Sequence, residues 1–387
     1  MKKIIIVIAS TLALILILLI TLQIIYIKNK LEIIPTKKEI DVYENIELKD
    51  ILENINLKNY KIDTNEIGKK ELEIEYKNKI FTYKDKIEIN IVDKINPTIL
   101  VKDLTIQKDN EIDIVNSFLC GDNYDIKPNC YIEGTYDIST PGVYNLKYIA
   151  QDTSKNKTEK NFNLNVIEPK EESINQIPQE ESFVDFKDVI KTKKTDNTQI
   201  GIDVSKWQGN IDFEEIKKQG CEFVIIKAAG SYMDGELYTD PKFEENIKNA
   251  IKNDLKVGVY LYSNSNSIEQ AKKEIDYLLE LIKDYKVEYV AFDWENFNDF
   301  NSYNINIHTL NEIANIFLKK AEENNYKTLL YSSKYYLENI WDSNYEIWVA
   351  QYTDINTYEG KYKIWQHCSD GKIEGINGYV DIDIMYE

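Results

Sequence analysis

The sequence predicts a multi-domain chain that ends in an α/β barrel, and three observations carry that reading. An uncharged apolar run fills residues 4–27. A repeat with an offset of about 74 residues and strand-like alternation fills 31–168. From Gln199 onward, short apolar strands alternate with amphipathic helices, the pattern of parallel strands joined by helical crossovers. The expected order is a transmembrane helix with short flanks (1–30), two all-β sandwich modules (31–94 and 95–168), a linker (169–198) and the barrel (199–387).

The apolar run comes first. As a helix, Ile4–Ile27 would be about 36 Å long, enough to cross a hydrocarbon core of about 30 Å. A cleaved signal has a shorter core and a small-residue cleavage site, whereas this run ends Ile24-Ile-Tyr-Ile27-Lys28. It reads as a retained single-pass anchor in the cell membrane. Lysines flank both ends, so the positive-inside rule orients it weakly. With two or three residues ahead of the span, the body is expected on the extracellular, wall-facing side.

In the repeat, Asp63-Thr-Asn-Glu-Ile-Gly68-Lys-Lys-Glu-Leu72 parallels Asp137-Ile-Ser-Thr-Pro-Gly142-Val-Tyr-Asn-Leu146. Each copy ends in an alternating strand, Ile87-Glu-Ile89-Asn-Ile91 or Phe162-Asn-Leu164-Asn-Val166, so one face is buried. With Asn96-Pro-Thr-Ile opening the second copy, the pattern resembles the bacterial immunoglobulin-like modules of surface proteins. It holds no catalytic constellation, and a spacer or wall-binding role is expected. Cys120 and Cys130 either close a turn-rich loop as a disulfide or remain thiols. Residues 169–198 are too polar and charged to fold alone, apart from a short patch at 183–190.

Composition excludes several functions. The net charge is −19, about 14 of it within 201–387, and the chain contains no arginine. Without guanidinium forks and with this charge, nucleic-acid recognition is not expected. Four cysteines and two histidines in no ligand-like spacing give no metal site, and no cofactor is expected.

Eight barrel strands are expected at 200–204, 223–229, 257–262, 287–294, 328–332, 347–351, 364–368 and 380–385. Helix starts are marked by Asp212-x-x-Glu215, Ser267-x-x-Gln270, Thr309-x-x-Glu312 and Asp240-Pro241. No helix-length pattern separates the last strands, so the helical ring should be incomplete. Polar residues end these strands: Asp203, Tyr262, Asp293 with Glu295, Tyr331 with Ser332, Gln351 and Gln366, while Asp381 and Asp383 lie on the eighth. Chemistry in parallel barrels is assembled at the carboxyl ends of the strands. Asp293 and Glu295 are two apart, so a continuing strand would put both carboxyls on one face, with Trp294 on the other. Like charges there would raise the pKa of Glu295 and keep it protonated as a general acid. All five tryptophans fall in this domain. Trp207 and Trp294 lie where an aromatic face could stack on a sugar, whereas Trp348 reads as core.

Gly201-Ile-Asp-Val-Ser-Lys-Trp-Gln-Gly209, Phe223-Val-Ile-Ile-Lys-Ala-Ala-Gly230, Val257-Gly-Val-Tyr-Leu-Tyr262 and Asp293-Trp-Glu295 together resemble glycoside hydrolase family 25, the muramidases. Trp348-Val-Ala-Gln-Tyr352, Trp365-Gln366 and Gly375-Ile-Asn-Gly-Tyr-Val-Asp381 extend the resemblance over 199–387. It implies a flattened, TIM-like barrel and cleavage of the β-1,4 bond between N-acetylmuramic acid and N-acetylglucosamine in peptidoglycan glycan strands. It implies Glu295 as the acid, with Asp293, Asp203 and Asp381 as its partners, and substrate-assisted retention. Tyr262, Tyr331, Gln351, Gln366, Trp207 and Trp294 are expected to bind substrate, and the chain is expected to act as a monomer. Asp383 stands where related sequences often carry Asn, leaving open which late aspartate faces the cleft. Two rival readings are a wall-binding protein that does not cut, and an enzyme acting on another N-acetylated glycan such as chitin.

Overall fold

The computed structural model describes residues 2–53, 55–169, 183–342 and 344–387. It contains two compact units, residues 1–95 and 96–387.

In the first unit, the apolar run is a helix, Lys2–Lys28, whose hydrophobic side chains point outward. It is long and apolar enough to cross a membrane, a test that a signal sequence also passes. At its end Tyr26 stacks on Tyr83 at 4.6 Å, and the Tyr83 hydroxyl donates to the Tyr26 carbonyl over 2.8 Å. The strands Gly68–Asn78 and Phe81–Val92 form a hairpin. Glu39–Asp41 runs parallel to the second of these, and Asn56–Leu57 antiparallel to the first. Their alternation buries Leu72, Ile74, Ile87, Ile89 and Ile91 on one face. Leu48 and Ile51 of a one-turn helix are buried as well, and among the described residues this module has one sheet, not the two of a sandwich.

The second unit opens with the same strand plan. Gly142–Gln151 and Lys157–Ile167 form the hairpin. Leu104–Gln107 lies parallel to the latter strand, and Asn129–Glu133 antiparallel to the former. The repeat read from sequence is therefore a repeat of topology, with Gly68 and Gly142 each opening a hairpin. A second, two-stranded sheet, Thr98–Leu100 with Leu119–Gly121, shares its core with the first through Ile99, Cys120, Tyr148 and Leu164. Cys120 and Cys130 are disulfide-bonded, tying the two sheets together.

Eight strands then close into a ring: β1 (Thr198–Val204), β2 (Phe223–Ser231), β3 (Lys256–Tyr262), β4 (Tyr289–Asp293), β5 (Lys327–Ser333), β6 (Glu346–Ala350), β7 (Ile364–Lys372) and β8 (Val380–Tyr386). β1 to β7 are parallel neighbours in order, and β8 is antiparallel to both β7 and β1. This reversal corrects the all-parallel expectation. It follows from the short β7–β8 connection, which has no crossover helix to bring the chain back to the starting end.

Alternation along the strands separates two cores. Phe223, Ile225, Tyr289, Ala291, Leu329, Trp348, Ile364 and Met385 fill the ring's interior. Ile202, Val224, Ile226, Val290, Phe292 and Leu330 face outward onto the helices Phe243–Lys252, Ile268–Ile282 and Ile307–Glu323. The interior is tight: a Cβ at Gly201 would stand 2.4 Å from the Phe223 carbonyl oxygen. Asp212 and Ser267 cap their helices as the sequence suggests. The third helix starts earlier than expected, with Asn306 accepting from the Thr309 N–H. Asp240 lies further from its helix, which begins at Phe243.

The linker expected over 169–198 is shorter than the sequence suggests. Residues 170–182 lie outside the described residues. Residues 183–198 belong to the barrel: Val184–Asp185 pairs with β7, and the helix Phe186–Lys193 buries Phe186 and Val189 in the outer core. The short patch expected at 183–190 holds both of these apolar residues, spaced to pack from one helix face.

Candidate active site

The interior columns of the ring end in polar side chains on one rim. Across β3, β4 and β5, Tyr262, Asp293 and Tyr331 stand in register. Across β1 and β8, Asp203 faces Asp381. Because β8 runs backward, its first residues lie beside the carboxyl end of β1. The reversed strand is thus what carries Asp381 to the same rim as Asp203. β4 stops at Asp293, and Glu295 takes φ −125° and ψ 9° at the start of the 3₁₀ segment Asn296–Tyr303. Strand alternation therefore does not extend to Glu295, contrary to expectation. Asp293 is buried, whereas Glu295 reaches solvent at the mouth.

Burial dominates the electrostatics. It pushes the Asp293 carboxyl well above the ordinary carboxylate range, with Glu295 adding to the rise and Lys227 opposing it. Burial likewise raises Glu295, and the Lys227 ammonium again opposes. Removal from water, and not the like charge expected from the sequence, is what raises Glu295. Asp293 Oδ1 has no hydrogen-bond partner among the described residues. Asp381 is pushed up to about 9, by burial and then by Asp203.

Asp203 and Asp383 are both buried, and their carboxyls lie close enough to shift each other's titration. Burial raises both, and each is raised further by a neighbouring aspartate, Asp383 for Asp203 and Asp381 for Asp383. Trp348 Nε1 donates to Asp383 Oδ1 over 2.8 Å, and Gln366 Nε2 donates to Asp203 Oδ2 over 2.8 Å. Gln366 Oε1 in turn accepts from the hydroxyls of Tyr331 and Tyr352, each at 2.9 Å. Asp383 is fully buried behind this layer, and the half-buried Asp381 is the late aspartate at the opening.

Several residues expected to bind substrate stand elsewhere. Trp294 is fully buried, its Nε1 donating to the Ser265 carbonyl and its ring packed against Phe297 and Tyr303. Its face is closed to a sugar, because the strand ends before it and the chain turns it into the core. Gln351 is turned away, bonded to the Thr357 backbone N–H and hydroxyl. Gln366 and Tyr331 are buried and act on Asp203 from behind. Trp207 stands 79% exposed on the turn after β1, and Tyr262 is half-buried.

Two residues at the site were missed. Lys227 sits at a bulge in β2, its ammonium 4.5 Å from the Tyr262 ring centroid and 5.9 Å from that of Tyr260. A lysine inside Phe223-Val-Ile-Ile-Lys-Ala-Ala was the available signal, since a cation within an apolar strand needs partners. Tyr352 lies two residues past the end of β6, a position that could have been included with Gln351.

The family described as "Glycosyl hydrolases family 25" matches residues 202–376. The "Uncharacterized protein YegX" of Escherichia coli strain K12 is 28% identical over 197 residues, 48% of this chain and 68% of that protein. The "Autolytic lysozyme" of Clostridium acetobutylicum is 26% identical over 194 residues, 48% of this chain and 56% of that protein. Among solved structures, a family 25 glycosyl hydrolase from Bacillus anthracis aligns at 22% identity and a TM-score of 0.43, covering 51% of this chain and 93% of that one.

Proposed function

We propose that this chain is a membrane-anchored N-acetylmuramidase that cuts the β-1,4 bond between N-acetylmuramic acid and N-acetylglucosamine. Glycoside cleavage needs a proton for the leaving oxygen and negative charge beside an oxocarbenium-like transition state. Glu295 is the proton donor. It is the carboxyl of the Asp293–Glu295 pair that meets solvent, and a bound sugar would cover it and raise it further. Asp293 lies behind it with a free oxygen, suited to accept the N–H of the substrate's 2-acetamido group and to stabilise positive charge. Asp381 lines the opening opposite. Asp203 holds the floor, kept in place by Gln366 and Asp383. Trp207 and Tyr262 offer aromatic faces to the sugar. The helix at residues 4–27 is the anchor, the body lies on the wall side, and the β modules act as the arm between them.

The observation that carries this reading is the pair itself, one carboxyl exposed at the mouth and the other buried directly behind it. A protein that only binds glycan needs no such pair. The test is Glu295→Gln, which keeps shape and removes the proton. Wall-lytic activity should fall by at least about 10²-fold, as expected for loss of a general acid, while wall binding and melting temperature stay unchanged. Retention of more than about a tenth of the activity would exclude Glu295 as the acid.

A further inference from the structure

The second β module packs directly on the segment that follows Glu295. Leu100 and Leu119 of the module join the barrel's outer core. The Ile307 N–H donates to the Asp122 carbonyl over 2.8 Å, and Asn306 Nδ2 donates to the Tyr124 carbonyl over 2.7 Å. Beside this contact the two parts enclose a groove of about 380 Å³. The module contributes Lys102, Ser117 and Lys160, and the barrel contributes Phe297, Tyr335 and Tyr336. These barrel residues sit on the loops after β4 and β5, on the same rim as the acid pair. Phe297 is two residues past Glu295, its N–H donating to the Glu295 carbonyl over 2.9 Å. Its ring stacks on Tyr336 at 3.6 Å. The groove and the proton donor thus share one turn of backbone.

The charge in this groove runs against the chain. The protein carries −19 overall, yet Lys102 and Lys160 are exposed here and neither forms an ion pair among the described residues. Tyr335 is 44% exposed and presents an aromatic face. Two ammonium groups beside aromatic and aliphatic surface complement a ligand with carboxylates on a short, partly apolar backbone.

We propose that this groove binds the carboxylate-bearing peptide stem that hangs from the glycan strand being cut, an inference that rests on the muramidase reading above. A strand lying across the barrel mouth passes the loops after β4 and β5, where a stem on a neighbouring muramic acid reaches the lysines. The module is then part of the substrate-binding surface as well as a spacer.

The test uses the full chain with Lys102→Glu and Lys160→Glu together, on stem-bearing peptidoglycan and on the same glycan stripped of stems by an amidase. KM on the stem-bearing substrate should rise about fivefold, from the loss of two solvent-exposed charge contacts. KM on stripped glycan and kcat on both should not change. Tyr335→Ala should raise KM on the stem-bearing substrate in the same selective way. An unchanged KM on the stem-bearing substrate would overturn the inference. So would an equal rise on stripped glycan, or a rise that follows phosphate polymers on the wall rather than the stems. If the wild-type chain cuts both substrates and the variants match it, only this inference fails. If the wild-type chain frees no muramic acid ends from either, the muramidase reading fails with it.

Discussion

At the scale of the residue, Asp383 shows how the site is balanced. It is fully buried, accepting from Trp348 on one oxygen, while the other has no hydrogen-bond partner among the described residues and the Asp203 carboxyl lies near. A buried carboxyl with a raised pKa carries no penalty below its unfolded pKa near 4, and the penalty grows as pH climbs toward the folded value. Asparagine there keeps the bond from Trp348 and supplies an N–H for Asp203. Asp383→Asn should therefore raise the melting temperature by about 2–4 °C near pH 8, with little change near pH 4. A gain equal at both pH values would contradict a carboxyl raised by burial. The sequence made Asp203, Asp293, Glu295 and Asp381 legible, because polar residues at strand ends are conspicuous. It did not reveal that Trp348, read as packing, also holds Asp383, since burial and hydrogen bonding leave the same apolar signature. Nor did it place Trp294, whose direction depended on where β4 stops.

At the scale of the element, the stretch before the barrel is the instructive case. Residues 183–198 read as linker with a short ordered patch at 183–190, and they add a strand to β7 and a helix whose Phe186 and Val189 are buried in the barrel. Eight strands were legible because each is a short apolar run, the first five of them set off by marked helix starts. A two-residue strand and a helix with two buried side chains lie below that threshold. A fragment cut at residue 199 should accordingly be less stable than one cut at residue 96 by at least about 3–6 kcal/mol, the burial of two such side chains. The fragment from 96 also keeps the contacts of the second module with the segment after Glu295. Urea unfolding of the two fragments measures this, and equal midpoints would show that neither the helix nor the module supports the barrel. The reversal of β8 was not legible either, although the missing helix pattern between β7 and β8 was its cause.

At the scale of the whole molecule, charge and topology work together. An acidic enzyme domain is poorly drawn to an anionic wall, and a tether supplies instead a high local concentration. The helix Lys2–Lys28 suits that role by length and composition. The full chain should therefore sediment with membranes, with an amino-terminal sequence that still begins near Met1. Recovery of a soluble form starting after about Lys28 would make the helix a signal and remove the tether.

The central claim is that the barrel cuts on the reducing side of N-acetylmuramic acid. Purified wall digested by the full chain, then reduced with borohydride and hydrolysed to free amino sugars, identifies the new ends directly. The account predicts muramitol that accumulates with time and is absent with Glu295→Gln. New ends recovered as glucosaminitol, or no new ends while the chain stays bound to the wall, would contradict it.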